Sequence, residues 1–517
     1  MKKVLSVILI LICLLPAACA PAQGALSGLS GFDGDYVVAA DFSGDDIVLL
    51  GTDDAGYKLY LASVKNARVY KSAPLDCEGF EGYSGVEFDG DGNITVSLDY
   101  EGKCVVFDRE LSQIGGEKPY EARDMIEKAK ESAFFDGTMS ACENCFHYYS
   151  DRDRYEYINA VGFYGDDFIT LVKDERFNII SGCGKRILTS YPEDGDLNAN
   201  VVSVYDFDTG RKINSFVTEN PDGQPSVSVT FGKLADTAAI VGVEYGDGDP
   251  AGGVYYNKYY IWRFETGAKN EPFEFTRYTA DQMKAETAGV CGSIKDGFGI
   301  DVHIDEENPY QGAEDGEYGY TFGTSPLKAK IAVGMLHDFL KMLPDGFARE
   351  TYSGVNDAVT GLDVYFVDGI NGNPNAYADV NSDRYYVCFE AYSLDPHTIY
   401  HECMHVIDAR ISAQGDFEEA WNALNPPGFS YLIYGEEDYD IEEYSDYFAT
   451  AYSMQAMGED RADMFAELFT AGLSGEKPYW YKEGAATEKK AKLLTEQIRA
   501  AFPSMKNAPP QVWEIIG

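Results

Sequence analysis

The sequence is poor in basic residues and in histidine. Its 517 residues contain 41 Lys and Arg against 86 Asp and Glu, which gives a formal net charge of −45, and only 6 residues are His. Such a negative chain repels the phosphate backbone of DNA and RNA, so no nucleic-acid partner is expected. Hydrophobic residues still make up 45% of the chain, which excludes global disorder. At roughly 100–200 residues per domain, the length predicts two to four domains.

Long apolar runs are scarce, and the run at the N-terminus is too short to span a membrane. Two lysines precede the apolar stretch at residues 4–15. A spanning helix needs about 20 apolar residues. Residues 1–18 therefore predict an export signal peptide rather than a membrane-spanning helix.

The sequence Leu-Pro-Ala-Ala-Cys that ends at Cys19 resembles a bacterial lipobox. This resemblance implies that the Cys19 thiol carries diacylglycerol and that Cys19 becomes the mature N-terminus. The mature protein would then be attached to the membrane by a lipid anchor, outside the cytoplasm, on the bacterial cell surface. Ordinary secretory cleavage near the same residue is the alternative.

Eight cysteines remain when Cys13 is removed with the signal peptide and Cys19 is lipidated. An extracytoplasmic protein with an even number of cysteines is free to form disulfides, but their pairing does not follow from sequence. A zinc site built on Cys142 and Cys145 would need a second pair at matching spacing, which the sequence lacks. These two cysteines are therefore predicted to form a local disulfide or to stay free thiols.

Short apolar runs separated by turn residues dominate the chain from residue 32 to residue 275. Many short strands at near-regular spacing predict a β-propeller or a stack of antiparallel sheets. About 245 residues would make five or six propeller blades at roughly 40 residues each. Residues 120–134 are rich in helix formers and predict a helix inserted among the strands.

Changes in composition along the chain predict its domains. We assign residues 19–31 to a linker and residues 32–285 to an all-β, β-propeller-like domain. Residues 286–323, which are rich in Gly, Asp and Glu, are predicted to be a connecting segment. Residues 324–517 are predicted to form a mainly helical α+β domain. Its predicted elements are a helix at 325–343 that starts with Ser-Pro, strands at 362–367 and 384–389, and a helix at 395–412 that starts with Asp-Pro.

The helix predicted at 395–412 contains His401-Glu-Cys-Met-His405, an HExxH motif. Histidines four residues apart project from one face of a helix, so both imidazoles can bind one cation. Glu402 lies beside them, where its carboxylate can hold a water molecule as a general base. Imidazole ligation with an open position favours zinc, Zn²⁺. Cys403, inside this helix, is predicted to take no part in a disulfide.

A catalytic zinc site needs a third protein ligand. One class of zinc peptidase has a third His six residues beyond the second, but this position is Ile411. A downstream Glu on another helix is the remaining common solution. Asp408, three residues after His405, is predicted to accept the free imidazole N–H of a ligand histidine. His397 is predicted to be a helix cap or an outer group, because it lies one further turn from the cation.

Two stretches resemble the gluzincin peptidases with a lethal-factor-like catalytic domain, a group that includes the Pro-Pro endopeptidases. The first runs from His401 to Asp408, and the second is Tyr452-Ser-Met-Gln-Ala-Met-Gly-Glu459 with the Ala-Asp-x-Phe sequence that follows. The resemblance implies that Glu459 is the third zinc ligand and that Tyr452 supports an oxyanion with its hydroxyl. It covers residues 325–517 and implies a zincin-type domain. Three other acids stay open as the third ligand: Glu442, Glu443 and Asp446.

These patterns together predict a lipid-anchored, extracytoplasmic zinc metallopeptidase with one catalytic ion. Its partners are expected to be a peptide or protein substrate and the membrane that holds its anchor. The alternative is a surface lipoprotein whose β domain captures protein or glycan and whose zinc domain is inactive or structural. A zinc hydrolase that acts on non-peptide amides, or a structural zinc protein, is a third interpretation.

Overall fold

The structure is a computed structural model, and it describes the greater part of the chain. The described residues are 25–75, 83–98, 102–115, 117–119, 125–135, 139–152, 156–173, 175–193, 196–218, 220, 226–246, 255–264, 271–306, 320–353, 359–370, 375–380, 383–412, 415–432 and 441–516. The predicted signal peptide at 1–18 and the predicted lipid-attachment residue Cys19 lie outside these ranges. No helix within them is both long enough and apolar enough to cross a membrane. The chain divides into two compact units, and the boundary lies between Arg277 and Tyr278.

The first unit consists mainly of antiparallel strands. In chain order they are β1 (Ala25–Gly28), β2 (Tyr36–Ser43), β3 (Asp46–Asp53), β4 (Gly56–Ser63), β5 (Arg68–Pro74), β6 (Tyr83–Phe88), β7 (Ile94–Leu98), β8 (Lys103–Phe107), β9 (Lys118–Pro119), β10 (Ser140–Ala141), β11 (Cys145–Arg152), β12 (Glu156–Phe163), β13 (Phe168–Val172), β14 (Asn178–Cys183), β15 (Arg186–Glu193), β16 (Asp196–Asp206), β17 (Arg211–Val217), β18 (Ser226–Leu234), β19 (Ala238–Gly246), β20 (Tyr255–Arg263), β21 (Glu271–Pro272) and β22 (Phe275–Thr279). The predicted inserted helix is present as α1 (Met125–Lys130).

These strands form five sheets of four or five strands each. Sheet I is β2-β3-β4-β5, sheet II is β6-β7-β8-β9, sheet III is β10-β11-β12-β13-β22, sheet IV is β14-β15-β16-β17-β21, and sheet V is β1-β20-β19-β18. Hydrophobic cores join sheet II to I, I to V, V to IV, and IV to III. The first unit is therefore a series of small sheets, in which β1 completes the sheet made by the last long strands. A closed propeller stays a prediction.

Local sequence explains the turns that separate the strands. Between β16 and β17 the carboxylate of Asp206 accepts hydrogen bonds from the backbone N–H groups of Asp208 and Thr209, both at 3.0 Å. Gly210 completes this turn with φ of +65°, a conformation that costs a glycine little. Cys142 and Cys145 form a disulfide at the hairpin between β10 and β11, so the first of the two predicted alternatives is confirmed.

The second unit combines one mixed sheet with helices. Its strands are β23 (Ile300–Ile304), β24 (Tyr320–Thr321), β25 (Gly361–Val367), β26 (Gly369–Ile370), β27 (Ala376–Val380) and β28 (Arg384–Glu390). Its helices are α2 (Ala280–Phe298), α3 (Pro326–Met342), α4 (Phe347–Tyr352), α5 (Pro396–Ser412), α6 (Phe417–Asn422), α7 (Ile441–Tyr444), α8 (Met457–Ser474) and α9 (Ala486–Ala501), with 3₁₀ turns at Tyr452–Met454 and Pro503–Asn507. The main sheet has the order β23-β25-β28-β27, in which the first two pairings are parallel and β27 is antiparallel.

The helix and strand predictions for this unit agree with the structure at all four positions: α3, β25, β28 and α5. Ser325 caps α3 by accepting a hydrogen bond from the N–H of Lys328. Asp395 Oδ1 accepts one at 2.7 Å from the N–H of Thr398 at the start of α5. Side-chain caps of this kind satisfy backbone donors that have no partner inside the helix.

The segment predicted to connect the domains differs from the structure. Residues 286–323 include most of α2 and all of β23, which belong to the second unit. Three glycines inside α2 lower its helix propensity. The helix forms nonetheless, because Thr279 and Gln282 make a capping box at its start. It also buries Met283 and Ile294 on one face.

The core of the second unit fixes α5 in place. Phe339 of α3 and Cys403 of α5 line the same apolar cavity as Leu362 and Val364 of β25, so both helices cover one face of the main sheet. Helix α5 also contacts α8 through Tyr400, whose ring centroid is 4.4 Å from that of Phe469 and 5.3 Å from that of Phe339. The helix with the HExxH motif is therefore held by contacts with the sheet, with α3 and with α8. Cys403 is a buried free thiol, as predicted.

Candidate metal centre

Helix α5 places the motif residues in a nearly closed environment. His401 and Glu402 are each 7% exposed, and His405 is partly buried. The two imidazole rings face each other on one side of the helix, with Nε2 of His405 3.2 Å from Nε2 of His401. This is the common face that the four-residue spacing predicts.

Helix α8 brings Glu459 to the two imidazoles. Its Oε2 atom lies 2.9 Å from Nε2 of His401 and 3.4 Å from Nε2 of His405. Within the described ranges, these three side chains form the cluster of His, Cys, Asp and Glu whose ligand atoms lie close enough together to hold one metal ion. Ligand atoms that surround zinc tetrahedrally at about 2.0–2.1 Å are about 3.3 Å apart. The observed separations fit a zinc ion between the three atoms.

The other three candidate acids are not part of this cluster. Glu442 and Glu443 are exposed on α7. Asp446 is exposed as well and pairs with Lys482 at 2.7 Å. The structure therefore favours Glu459 over these acids.

An aspartate that the sequence analysis did not single out orients His401. Asp463 Oδ1 accepts a hydrogen bond of 2.8 Å from Nδ1 of His401. Its other oxygen accepts hydrogen bonds from the hydroxyls of Thr450 and Ser453. Asp463 follows Glu459 by four residues on α8, so both carboxylates face α5. That spacing is the signal from which Asp463 could have been found.

The prediction for Asp408 needs correction. We expected this carboxylate to accept the N–H of a ligand histidine, but the hydrogen bond it accepts comes from Nη2 of Arg461 at 2.6 Å. The guanidinium of Arg461 is buried, and a buried cation requires a nearby anion. The carboxylate that serves a histidine is Asp463 instead.

His397 extends the same pattern by one turn. Its Nε2 lies 3.4 Å from Oε1 of Glu467, while His401 pairs with Asp463 one turn further along. Helices α5 and α8 therefore run antiparallel, with a histidine on one facing an acid on the other at successive turns. His397 lies outside the three-residue cluster, as expected for an outer group.

The electrostatics of the site favour a cation between these groups. Burial lowers the pKa of His401, because it disfavours the charged imidazole. The hydrogen bonds to Asp463 and Glu459 have the larger combined effect and raise this pKa to about 10. A cation that binds to Nε2 must displace this proton. Burial also raises the pKa of Glu402, while the two histidines oppose this shift. A carboxyl with a raised pKa is better able to exchange a proton near neutral pH.

Tyr452 lies at the open side of the cluster. Its ring centroid is 5.8 Å from that of His401, and 49% of the residue is exposed. Burial of its hydroxyl, together with the nearby charges of Glu459 and Glu402, raises the pKa of Tyr452. The phenol therefore keeps its proton at neutral pH and is a hydrogen-bond donor beside the cluster, where it interacts with Glu459.

Comparisons with known proteins do not assign a family. No protein-family profile and no curated protein matches the sequence. A candidate zinc-binding metallo-peptidase from Bacteroides caccae is 12% identical, with a TM-score of 0.30 over 46% of this chain and 91% of that chain. Hydrazine synthase of Kuenenia stuttgartiensis is 12% identical, with a TM-score of 0.17 over 48% of this chain and 67% of that chain. The tail fiber of Staphylococcus aureus phage P68 is 11% identical, with a TM-score of 0.24 over 46% of this chain and 53% of that chain. TM-scores this low carry no argument about this chain, so the function has to be argued from the site.

Proposed function

We propose that this protein is a zinc metallopeptidase that hydrolyses peptide bonds. One observation carries the proposal: Nε2 of His401, Nε2 of His405 and a carboxylate oxygen of Glu459 lie 2.9–3.4 Å apart, next to the buried carboxyl of Glu402. Two imidazole nitrogens and one carboxylate oxygen are a donor set typical of catalytic zinc. A zinc ion held by these three residues would also bind water or substrate, as catalytic zinc with three protein ligands does.

The residues of the site divide the reaction among them. The chemistry that zinc supplies when bound is Lewis acidity, which lowers the pKa of water and polarises a carbonyl group. Glu402 takes the proton of the attacking water and delivers it to the leaving amine. Tyr452 donates a hydrogen bond to the developing oxyanion. Asp463 holds the proton on Nδ1 of His401, so that Nε2 keeps its lone pair for the metal.

The finer assignment rests on the sequence motifs. The stretches from His401 to Asp408 and from Tyr452 to Phe465 support membership of the gluzincins with a lethal-factor-like domain. In the first unit, the pairing of β1 with β20 in sheet V supports a five-bladed propeller closed by its N-terminal strand. We also propose attachment through a lipid on Cys19 and a protein or peptide substrate outside the cytoplasm, with the first unit used for recognition.

Three variants of the purified protein test the proposal. His401→Ala should lose the stoichiometric zinc that the parent protein binds. Glu402→Gln should retain zinc but cleave an N-terminally labelled peptide library at least about 100-fold more slowly, because only the general base is lost. Glu442→Gln is the matched control, an exposed acid outside the cluster, and should change neither property. A parent protein that binds zinc but cleaves no peptide in the library would favour the binding-lipoprotein alternative.

A further inference from the structure

The residue after the proposed zinc ligand Glu459 is buried in a polar network of its own. Asp460 has no exposed surface. Its Oδ2 atom accepts three hydrogen bonds, from Nε1 of Trp421 at 2.8 Å, from the hydroxyl of Tyr431 at 2.8 Å and from Nζ of Lys490 at 2.6 Å. These donors come from α6, from the segment after it and from α9. Asp460 therefore ties α8 to parts of the chain that supply no ligand to the metal.

Lys490 is buried as completely as its partner. Neither side chain of the Lys490–Asp460 pair has any exposed surface. The ammonium also lies over two aromatic rings, 4.1 Å from the ring centroid of Phe448 and 5.3 Å from that of Trp421. The loss of hydration on burying an ion pair offsets much of the attraction between the two charges. Apolar residues of similar volume often stabilise a protein equally well. Stability alone is therefore a weak reason for this pair, whereas its directional hydrogen bonds restrict how α8 can sit.

Three consecutive residues of α8 contact three different partners. Glu459 faces the histidines of α5, Asp460 faces Lys490, and Arg461 donates to Asp408 at 2.6 Å. Neighbouring side chains on a helix point about 100° apart, so these contacts restrain rotation of α8 about its axis from several directions.

A metal site tolerates only small displacements of its ligand atoms, so restraint of the rotation of α8 affects metal binding. An atom about 6 Å from the axis of a helix moves by about 1 Å when the helix turns by about 10°. Metal–ligand distances are held to about 0.2 Å. A small rotation of α8 would therefore take the carboxylate of Glu459 out of coordination range, and helix propensity does nothing to prevent such a rotation.

We propose that the Lys490–Asp460 pair is a positioning element that holds the carboxylate of Glu459 at the metal, so that α9 sets metal affinity and coordination geometry without touching the ion. The proposal rests on the proposed function, because it presupposes that the three-residue cluster binds metal. Asp460 and Lys490 are positioning residues, since neither one touches the cluster.

The first test compares two acid-to-amide substitutions that each break an ion pair of α9. Asp460→Asn keeps the size of the side chain but removes the charge that faces Lys490. Glu514→Gln is the matched control, because Glu514 pairs with Arg499 of the same helix and is not part of the metal cluster. Zinc affinity is measured by competition with a chromophoric chelator, and ligand geometry by the visible absorption spectrum of the Co²⁺-loaded protein. Asp460→Asn should weaken zinc binding at least about tenfold and change the Co²⁺ spectrum. Glu514→Gln should leave both unchanged.

A second variant guards against simple misfolding. Asp460→Leu combined with Lys490→Met replaces the pair by apolar side chains, a change that proteins often accept without loss of stability. This double variant should stay folded but unfold at a lower temperature than the parent protein, because Nε1 of Trp421 and the hydroxyl of Tyr431 lose their acceptor. At a temperature where it is folded, it should bind zinc at least about tenfold more weakly, because apolar contacts lack the direction of the three hydrogen bonds.

The outcomes separate this proposal from the proposed function. If the parent protein binds neither Zn²⁺ nor Co²⁺, both ideas are wrong. If it binds zinc and cleaves peptides, but the folded double variant and Asp460→Asn keep the parental zinc affinity and Co²⁺ spectrum, only the positioning role is overturned. Equal loss of zinc affinity in Asp460→Asn and Glu514→Gln would also overturn it, because the effect would then be general destabilisation.

Discussion

Replacing Asp463 by asparagine tests how firmly His401 must be held to bind zinc. In the structure one carboxylate oxygen of Asp463 accepts the 2.8 Å hydrogen bond from Nδ1 of His401, and the other accepts from Thr450 and Ser453. A histidine that coordinates through Nε2 must carry its proton on Nδ1. Asparagine has nearly the same shape as aspartate, and both hydroxyls can rotate to accept from its amide. We therefore expect the fold to survive the substitution.

The size of the effect follows from the kind of hydrogen bond that is lost. A hydrogen bond to a charged group contributes about 1.5–3 kcal/mol and a neutral one about 0.5–1.5 kcal/mol. Replacing the first by the second costs about 1–1.5 kcal/mol, which corresponds to a roughly tenfold loss in zinc affinity at 1.4 kcal/mol per factor of ten. If the amide turns its NH₂ group toward Nδ1, it favours the wrong tautomer of His401. The loss then approaches about 100-fold.

Chelator competition at one fixed pH measures this change directly. Asp463→Asn should bind zinc about 10- to 100-fold more weakly than the parent protein, with a nearly unchanged unfolding temperature. Asp446→Asn is the control, because Asp446 is an exposed acid that pairs with Lys482 and not with a histidine. The reasoning would be refuted if Asp463→Asn kept the parental zinc affinity, or lost no more than the control.

Two further predictions concern stability. Burial lowers the pKa of His147 to about 4 from 6.5, so below pH 6.5 the unfolded chain binds a proton at this residue that the folded first unit does not. Urea unfolding should therefore show about 2 kcal/mol less stability at pH 5 than at pH 7, and His147→Gln should remove this loss. An equal loss in the parent protein and in His147→Gln would contradict the prediction. Gly472→Ala should destabilise α8, because its Cβ would lie 1.9 Å from the carbonyl oxygen of Val512. Gly289→Ala in α2, where the new Cβ meets no atom within 4 Å, should instead stabilise the protein by about 1 kcal/mol. If both substitutions shift the thermal unfolding temperature in the same direction, the prediction is wrong.

The parts of the site that follow helix periodicity could be predicted from sequence. The positions of His401, Glu402 and His405 on one helix needed only their spacing and the Asp-Pro start of α5. Glu459 required the resemblance to a peptidase group, because 53 or more residues separate it from the histidines and nothing local links them. For Asp408, closeness in sequence to His405 is the only basis of the prediction. It failed because Asp408 instead pairs with Arg461 of α8.

In the first unit, too, local sequence predicts the elements, whereas pairing between distant strands does not follow from it. Turn residues and short apolar runs located the strands, and the helix at α1 was also found. The pairing of β1 with β20 could not be foreseen, since these strands lie more than 200 residues apart and antiparallel pairing depends on the whole chain. Weak periodicity gives no helix signal at α2, where burial of one helix face outweighs the low propensity of three glycines.

The acids of α8 explain why spacing alone leaves the site incomplete. Glu459, Asp463 and Glu467 are four residues apart and meet the histidines of α5 in turn, whereas Asp460 points away from them. Helix periodicity assigns these residues to two faces, but it does not say which face meets the histidines. In the structure Asp460 faces Lys490, which lies 30 residues further along the chain and donates a buried hydrogen bond to it, and we propose that this pair fixes the choice of face. With Asp460 turned toward Lys490, the other three acids have to face α5.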